Sequence, residues 1–175
     1  LLLPYYVKEY RNIISPELAQ EIITQPDLKF FPATAGGGKT NEARRCYVKQ
    51  LEPKFKKKIS TIFKDLFKSY IQELKFFDGL KMEDSGYDHL LYKGEESHEY
   101  KEHVDHSQFM KPRVLSCSLL LNDDYQGGNF SFFGGEHVIS RLAYSAVVFP
   151  SNPCFPHSIT PIYQGDRHSI ISWVH

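Results

Sequence analysis

The hydrophobic and polar positions of the first 75 residues follow a helical period in two segments. In the first, Ser15 can cap a helix, Pro16 suits its first turn and Glu17 adds an acid there. This pattern predicts a short helix that Pro26 ends. In the second, Glu52 to Leu74, apolar residues recur every three or four positions and lysines fill the other face. We interpret this segment as a helix packed on a sheet, with its lysines in solvent.

After Gly79 the pattern changes to short apolar runs bounded by turn residues. Before the helices, Tyr5 to Ile14 alternates loosely, which indicates a strand. The predicted strands after Gly79 span Asp88 to Tyr92, Val114 to Leu121, Asn129 to Phe133, His137 to Leu142, Ala146 to Phe149, Ser158 to Ile162 and Ser169 to Val174. Helices followed by many short strands are typical of an α+β fold, mainly β, with a sandwich or barrel braced by helices. We predict one domain over residues 1–175, with helical support over 15–74 and a β core over about 75–175.

Composition narrows the classes of partner. Lys and Arg together number 21, as do Asp and Glu, so we expect no nucleic-acid partner. No apolar run approaches the roughly 20 residues of a membrane span, so we expect no membrane. Cys46, Cys117 and Cys154 form no C-x-x-C pair, which favours reduced thiols in a cytoplasmic protein without a structural zinc site. The glycine-rich segment from Phe30 to Arg45 predicts a loop.

One short motif carries candidate metal chemistry. His103 and Asp105 are two positions apart, so in an extended chain both side chains point to the same face. His157 is the candidate third ligand, from a distant strand. Two imidazoles and one carboxylate leave a face of an octahedral metal open, as in non-haem Fe(II) oxygenases. Zinc hydrolases also use two histidines and a carboxylate, so the triad alone leaves the metal undecided.

Arg167 is the candidate partner for an acidic ligand. A turn at Gly165 is predicted to bring Arg167 back beside the strand that carries His157. Its planar guanidinium can hold a carboxylate through two hydrogen bonds in a partly dry pocket. The alternative interpretation is a surface arginine in an ion pair. His168 should alternate away from Arg167, and we interpret His89 as structural.

Around these residues the chain resembles the prolyl 4-hydroxylase-like branch of the Fe(II)/2-oxoglutarate-dependent dioxygenases. The similarity includes a tyrosine–glycine–tyrosine–HxD signature, an arginine that opens a strand, an "LND" turn and a Gly-Gly hairpin. The matching positions are Tyr92-Lys93-Gly94, Tyr100 to Asp105, Arg113 to Ser116, Leu121 to Gly128, Val148 to Ser151, His157, Pro161, Gly165, Arg167 and Trp173. The resemblance covers about Asp88 to His175.

The resemblance implies a fold, an activity and a set of site residues. The fold is a double-stranded β-helix, or jelly roll, and the activity is that of a 2-oxoglutarate/Fe(II)-dependent dioxygenase (a hydroxylase). His103, Asp105 and His157 would bind Fe(II). Arg167 would pair with the distal carboxylate of 2-oxoglutarate, and Tyr92 would line the co-substrate pocket. O2 would be the second co-substrate, with ascorbate as a further cofactor.

The implied reaction hydroxylates an unactivated C–H bond while 2-oxoglutarate is converted to succinate and CO2. The resemblance favours a prolyl residue in a peptide or protein as substrate, with the segment from Phe30 to Arg45 closing over an extended peptide. Two departures concern the substrate: Leu120 replaces a tyrosine of some members, and Asn129 replaces an acid. The alternatives are a related hydroxylase of a free amino acid or nucleobase, and a non-catalytic jelly-roll binding module.

Overall fold

Two amphipathic helices lie on one side of the molecule in the computed structural model, which describes residues 3–26, 29–34, 42–75, 79, 83–106 and 111–175. Helix α1 spans Pro16–Ile23, and the Ser15 hydroxyl caps it by accepting a hydrogen bond from the Leu18 N–H at 3.2 Å. Helix α2 spans Pro53–Glu73 and buries a face of large apolar residues, while the lysines opposite are exposed. Both helices match the sequence predictions, although α1 ends at Ile23, before Pro26. No helix in the described ranges is both long and apolar enough to cross a membrane.

The strands form two facing antiparallel sheets of a jelly roll. The larger sheet has seven strands, in the order β1 (Lys8–Tyr10), β11 (Ala146–Pro150), β7 (Leu115–Leu120), β14 (Asp166–Val174), β5 (Asp88–Lys93), β4 (Tyr47–Gln50) and β2 (Phe31–Pro32). The smaller sheet has five, in the order β10 (His137–Val138), β9 (Phe130–Phe132), β12 (His157–Ile159), β6 (Glu99–His103) and β3 (Arg44–Arg45). A separate pair joins β13 (Ile162–Gln164) to β8 (Gln126–Gly127).

The larger sheet is buried on both faces, which divides the core in two. On β11, Ala146 and Val148 pack with the helices, whereas Val147 and Phe149 point between the two sheets. Successive side chains of a strand alternate between faces, so a strand covered on both sides needs apolar residues at consecutive positions. This explains the continuous apolar runs of the sequence, and it leaves one face of each central strand for the space between the sheets.

Most predicted strands are present, but of the predicted run His137 to Leu142 only His137–Val138 forms a strand. Tyr5 to Ile14 begins with a 3₁₀ helix, Leu3–Tyr6, before β1. The predicted run Ser158 to Ile162 is divided between β12 and β13 at Pro161, which has no N–H to donate to a ladder. The predicted loop from Phe30 to Arg45 contains β2 and β3 at its two ends, and residues 35–41 lie outside the described part. Strand β4 also lies inside the segment predicted as helical support.

Gly165 turns the chain from β13 into β14 with a φ of 72°, a left-handed conformation that favours glycine. A Cβ at this position would also lie 2.8 Å from the Asp124 carbonyl oxygen. The turn therefore occurs where it was predicted, but its result differs. Strand β14 lies in the larger sheet and β12 in the smaller one, so Arg167 does not lie beside the strand of His157. The two residues instead face the same space from opposite sheets.

Candidate active site

The space between the sheets contains a cavity of about 90 Å³. All five candidate site residues line it: Tyr92, His103, Asp105, His157 and Arg167. The smaller sheet contributes His103 and His157, with Asp105 just beyond the end of β6, and the larger sheet contributes Tyr92 and Arg167. By the general size of cavities that hold water, this one accepts a ligand several times larger than one water molecule.

His103, Asp105 and His157 converge although Asp105 and His157 are 52 positions apart in the chain. His103 ends β6 and is the direct cross-strand partner of His157 at the start of β12. Asp105 follows β6, outside the ladder. Its two carboxylate oxygens lie 3.8 Å from Nε2 of His103 and 3.8 Å from Nε2 of His157. One potential ligand atom from each residue lies within 4.8 Å of the other two.

Backbone carbonyls orient both imidazoles. Nδ1 of His103 lies 2.8 Å from the Lys101 carbonyl oxygen, and Nδ1 of His157 lies 3.0 Å from that of Phe155. A carbonyl only accepts hydrogen bonds, so Nδ1 of each ring is the donor and Nε2 is left with its lone pair. Burial and the neighbouring His157 lower the pKa of His103 to about 4, so this ring is neutral near pH 7. Neutral imidazoles with inward Nε2 atoms are the form that binds a metal.

The carboxylate of Asp105 is held by two side chains of the larger sheet. Ser116 Oγ donates to Oδ2 at 2.7 Å, and Trp173 Nε1 donates to the same oxygen at 2.9 Å. Ser116 Oγ is also 2.7 Å from Ser151 Oγ. Burial alone would raise the pKa of Asp105, but His157 and these hydrogen bonds outweigh it and hold the pKa below its usual value. The carboxylate is thus ionised and fixed, so this donor set fits a divalent cation.

Arg167 lines the cavity and is only 3% exposed. Its Nη1 donates to Ser169 Oγ at 2.9 Å, and its guanidinium lies 5.4 Å from the ring centroid of Tyr92. Its Nε is buried without a hydrogen-bond partner, and it forms no salt bridge with any carboxylate of the described residues. A buried cation without an anion is costly, so this position fits a carboxylate ligand. It is not the surface ion pair of the alternative interpretation.

Several side chains of the cavity received no role from the sequence. Trp173, Ser116 and Arg113 appear in the sequence analysis only among the positions that carry the family resemblance. The alternation of side chains between the two faces of a strand could have placed two of them in the cavity. On β14, Trp173 is an even number of positions from Arg167, and on β7, Ser116 and Ser118 break an apolar run on one face. The ring of Tyr100 stacks on that of His103 at 3.4 Å.

The jelly roll and the His-Asp-His donor set together are those of a non-haem metal oxygenase. The family model described as the 2OG-Fe(II) oxygenase superfamily matches residues 88–175, half of the chain. The chain belongs to this family and is a 2-oxoglutarate/Fe(II)-dependent dioxygenase. The family therefore supplies Fe(II), 2-oxoglutarate and O2 as the reactive groups. No curated protein sequence matches the chain.

Solved structures share the fold at low sequence identity. A prolyl-4-hydroxylase of Pseudomonas putida is 20% identical with a TM-score of 0.71, and the match covers 97% of this chain and 92% of that one. The collagen prolyl hydroxylase of Paramecium bursaria Chlorella virus-1, in its 2-oxoglutarate complex, is 14% identical with a TM-score of 0.73, covering 97% and 95%. A Trichoplax adhaerens prolyl hydroxylase, in complex with a hypoxia-inducible factor peptide fragment, is 15% identical with a TM-score of 0.77, covering 97% and 83%.

Proposed function

We propose that the protein hydroxylates a prolyl residue in a peptide or protein. In this proposal His103, Asp105 and His157 bind Fe(II), and Arg167 binds the distal carboxylate of 2-oxoglutarate. The observation that carries the site assignment is that the triad and the buried, unpaired Arg167 share one cavity. When bound, Fe(II) and 2-oxoglutarate supply the oxidising chemistry, in which O2 is consumed and succinate and CO2 are formed.

The chain's own residues bind the metal and the co-substrate, orient them, and exclude water from the site. The carbonyl contacts of His103 and His157 hold both Nε2 atoms toward Asp105. Ser169 and the ring of Tyr92 fix the guanidinium of Arg167, so a diacid held there would extend toward the triad. Aromatic rings exclude water from the wall of the cavity between Arg167 and the triad. The ring centroids of Phe149 and Phe130 lie 4.8 Å and 5.6 Å from that of His157.

The prolyl substrate is supported by the aromatic surface around the triad. Tyr100 stacks on His103, and Trp173 contacts Asp105 through its indole N–H. Flat aromatic surfaces of this kind suit a pyrrolidine ring and the extended polyproline conformation around it. One of the similar structures is a prolyl hydroxylase in complex with a peptide fragment, which supports a peptide as the partner of this chain. Ascorbate as reductant and a cytoplasmic location belong to the same proposal.

The test combines product analysis with a metal-ligand variant. Purified protein is supplied with Fe(II), 2-oxoglutarate, O2, ascorbate and proline-containing peptides. We expect succinate to form and the peptides to gain the mass of one oxygen atom. His103→Ala should abolish both, whereas His137→Ala, in the same sheet but outside the cavity, should not. Oxygen gain by free amino acids or nucleobases alone, with unchanged peptides, would refute the prolyl-peptide proposal while retaining the oxygenase.

A further inference from the structure

The cavity carries a second cationic position at the end away from Arg167. The guanidinium of Arg113 lies 3.6 Å from the ring centroid of Trp173, and its Nη1 donates to the Asp105 carbonyl oxygen at 3.4 Å, a long hydrogen bond. Its Nε is buried without a partner. Arg44 lines the same cavity, with its guanidinium 5.1 Å from the ring centroid of Tyr100. These two arginines therefore lie around the aromatic surface proposed to receive the substrate.

This position is distinct from the one assigned to 2-oxoglutarate. Trp173, on which Arg113 stacks, is six residues beyond Arg167 on the same strand. At about 3.3 Å for each residue, their backbones are roughly 20 Å apart. Arg113 stacks on Trp173 at one end of this distance and Arg167 lies at the other, so a carboxylate held by Arg167 leaves Arg113 available for a second group.

The charges of the cavity favour an anion on the substrate. The guanidinium groups of Arg44, Arg113 and Arg167 line the cavity together with the carboxylate of Asp105. Asp88 lies outside this lining but is close enough to interact electrostatically with Arg44 and Arg113. The charge of a divalent ion and that of 2-oxoglutarate cancel, so one positive charge remains. Arg113 forms no salt bridge with a carboxylate in the described ranges. A partly buried guanidinium in this situation stabilises a ligand that brings a carboxylate.

We propose that Arg113, supported by the positive charge of Arg44, binds a carboxylate that the substrate carries next to the hydroxylated residue. The inference rests on the proposed function and specifies its substrate class. The indole ring fixes the plane of the guanidinium, so its N–H edge can hold a carboxylate through paired hydrogen bonds. Two sources supply this group: the side chain of an adjacent Asp or Glu, and the free α-carboxylate of a substrate that ends at the hydroxylated residue.

Matched peptides separate these sources. One pair has proline followed by Asp or by Asn, and the other ends in proline with a free or an amidated carboxyl group. Binding is measured by calorimetry to protein loaded with Fe(II) and 2-oxoglutarate without O2, and turnover is measured as peptide oxygen gain. Hydrogen bonds to a charged group contribute enough to predict a ten- to hundredfold preference for the acidic member of at least one pair.

The Arg113→Gln variant should reduce this preference to less than about threefold, and Arg113→Lys should retain part of it because the charge remains. Arg45→Gln is the matched control, since Arg45 follows Arg44 on β3 but lies outside the cavity, in a salt bridge with Glu99. A purely structural role of Arg113 would weaken the acidic and amide peptides equally. Equal binding of both members by the wild type overturns the inference, as does a preference that survives in Arg113→Gln. A tenfold weaker affinity for 2-oxoglutarate in Arg113→Gln, with peptide binding unchanged, assigns Arg113 to the co-substrate and also overturns it.

These outcomes differ from failure of the proposed function. If no peptide gains oxygen, the prolyl-peptide proposal fails by the turnover measurement. The calorimetric comparison of acidic and amide peptides still decides whether Arg113 recognises a carboxylate.

Discussion

The described part of the chain contains two pairs of close histidines, one on each face of the larger sheet, and they have different chemistry. His103 and His157 lie between the two sheets, with ring centroids 4.3 Å apart. His89 and His168 lie on the opposite face of the larger sheet, with centroids 5.2 Å apart. His89 is fully buried and His168 nearly so. Proximity of two imidazoles is therefore common to both pairs and does not by itself define a metal site.

The difference lies in where the ring nitrogens are used. In the His89–His168 pair, Nε2 of His89 and Nδ1 of His168 are 3.0 Å apart, so one nitrogen of each ring is used in the mutual contact, while Nδ1 of His89 is buried without a partner among the described residues. Phe30 lies edge-on to both rings, and no carboxylate joins them in a three-residue ligand cluster of the described chain. In the His103–His157 pair, backbone carbonyls occupy both Nδ1 atoms, and both Nε2 atoms remain free beside Asp105.

The proposed metal site therefore depends on backbone carbonyls that occupy the Nδ1 atoms and leave the Nε2 lone pairs free. The carbonyl oxygens of Lys101 and Phe155 each bind the imidazole two residues further along the chain. They fix the tautomer and leave the second nitrogen to a ligand. A mutual imidazole contact instead uses the lone pair of one ring and the N–H of the other, and the pair becomes a buried polar contact within the core.

The largest predicted effect comes from removing one imidazole from each pair. His157→Ala should weaken divalent-metal binding by more than about a hundredfold, because even residues that only support a ligand account for 10- to 100-fold. His168→Ala should leave metal affinity unchanged and lower the free energy of unfolding by about 1–3 kcal/mol, because the His89 nitrogen loses its partner. Metal titration calorimetry and urea unfolding measure the two effects.

A loss of metal affinity in His168→Ala comparable to that in His157→Ala would contradict this assignment. A folded-state spectrum for each variant excludes general unfolding as the cause. His137→Ala, outside both pairs, serves as the control for substituting a histidine.

The second predicted effect concerns acid stability. Burial, with His168 and Lys49 nearby, lowers the pKa of His89 to about 3, and burial lowers that of His168 to about 4, although Asp166 and Asp124 act in the opposite direction. Both folded-state values lie below the ordinary 6.5, so the unfolded chain binds these protons first. The contribution of these two neutral histidines to the free energy of unfolding is therefore fully present above pH 6.5. It is lost as the pH falls from 6.5 toward 4. At pH 5 the loss is about 2 kcal/mol for each histidine that stays neutral.

The double variant His89→Phe, His168→Phe replaces both partners with rings of similar shape, which avoids an unsatisfied nitrogen. Its unfolding free energy should fall less between pH 7 and pH 5 than that of the wild type. Urea titrations of the two proteins without metal measure this, because His103 then contributes equally to both. An identical pH dependence in wild type and variant would show that the buried pair does not titrate on unfolding.

Sequence reasoning predicted what depends on spacing, and it missed what depends on the direction of strands. The spacing of His103 and Asp105, the turn at Gly165 and the helix over Glu52 to Leu74 were all readable locally. The placement of Arg167 was not, because the pattern of one turn does not say which sheet the next strand joins. The indole contact of Trp173 with Asp105 also crosses from one sheet to the other, where no periodicity in the sequence connects the two residues.

The smallest predicted effect concerns Asp105, whose carboxylate lies beside the His103–His157 pair. Ser116→Ala removes one of the two side-chain hydrogen bonds to Oδ2 of Asp105, while Trp173 retains the other. Because one support remains, metal affinity should fall by about tenfold, at the lower end of the effect of residues that orient a ligand. Ser131→Ala is the matched control, since Ser131 is also buried and bonds another serine, Ser158, at 3.1 Å, but does not line the cavity. Equal metal affinities of the two variants would mean that the hydrogen bond from Ser116 is not needed to hold Asp105. The free Nε2 atoms of His103 and His157 would then be enough to distinguish this pair from the His89–His168 pair.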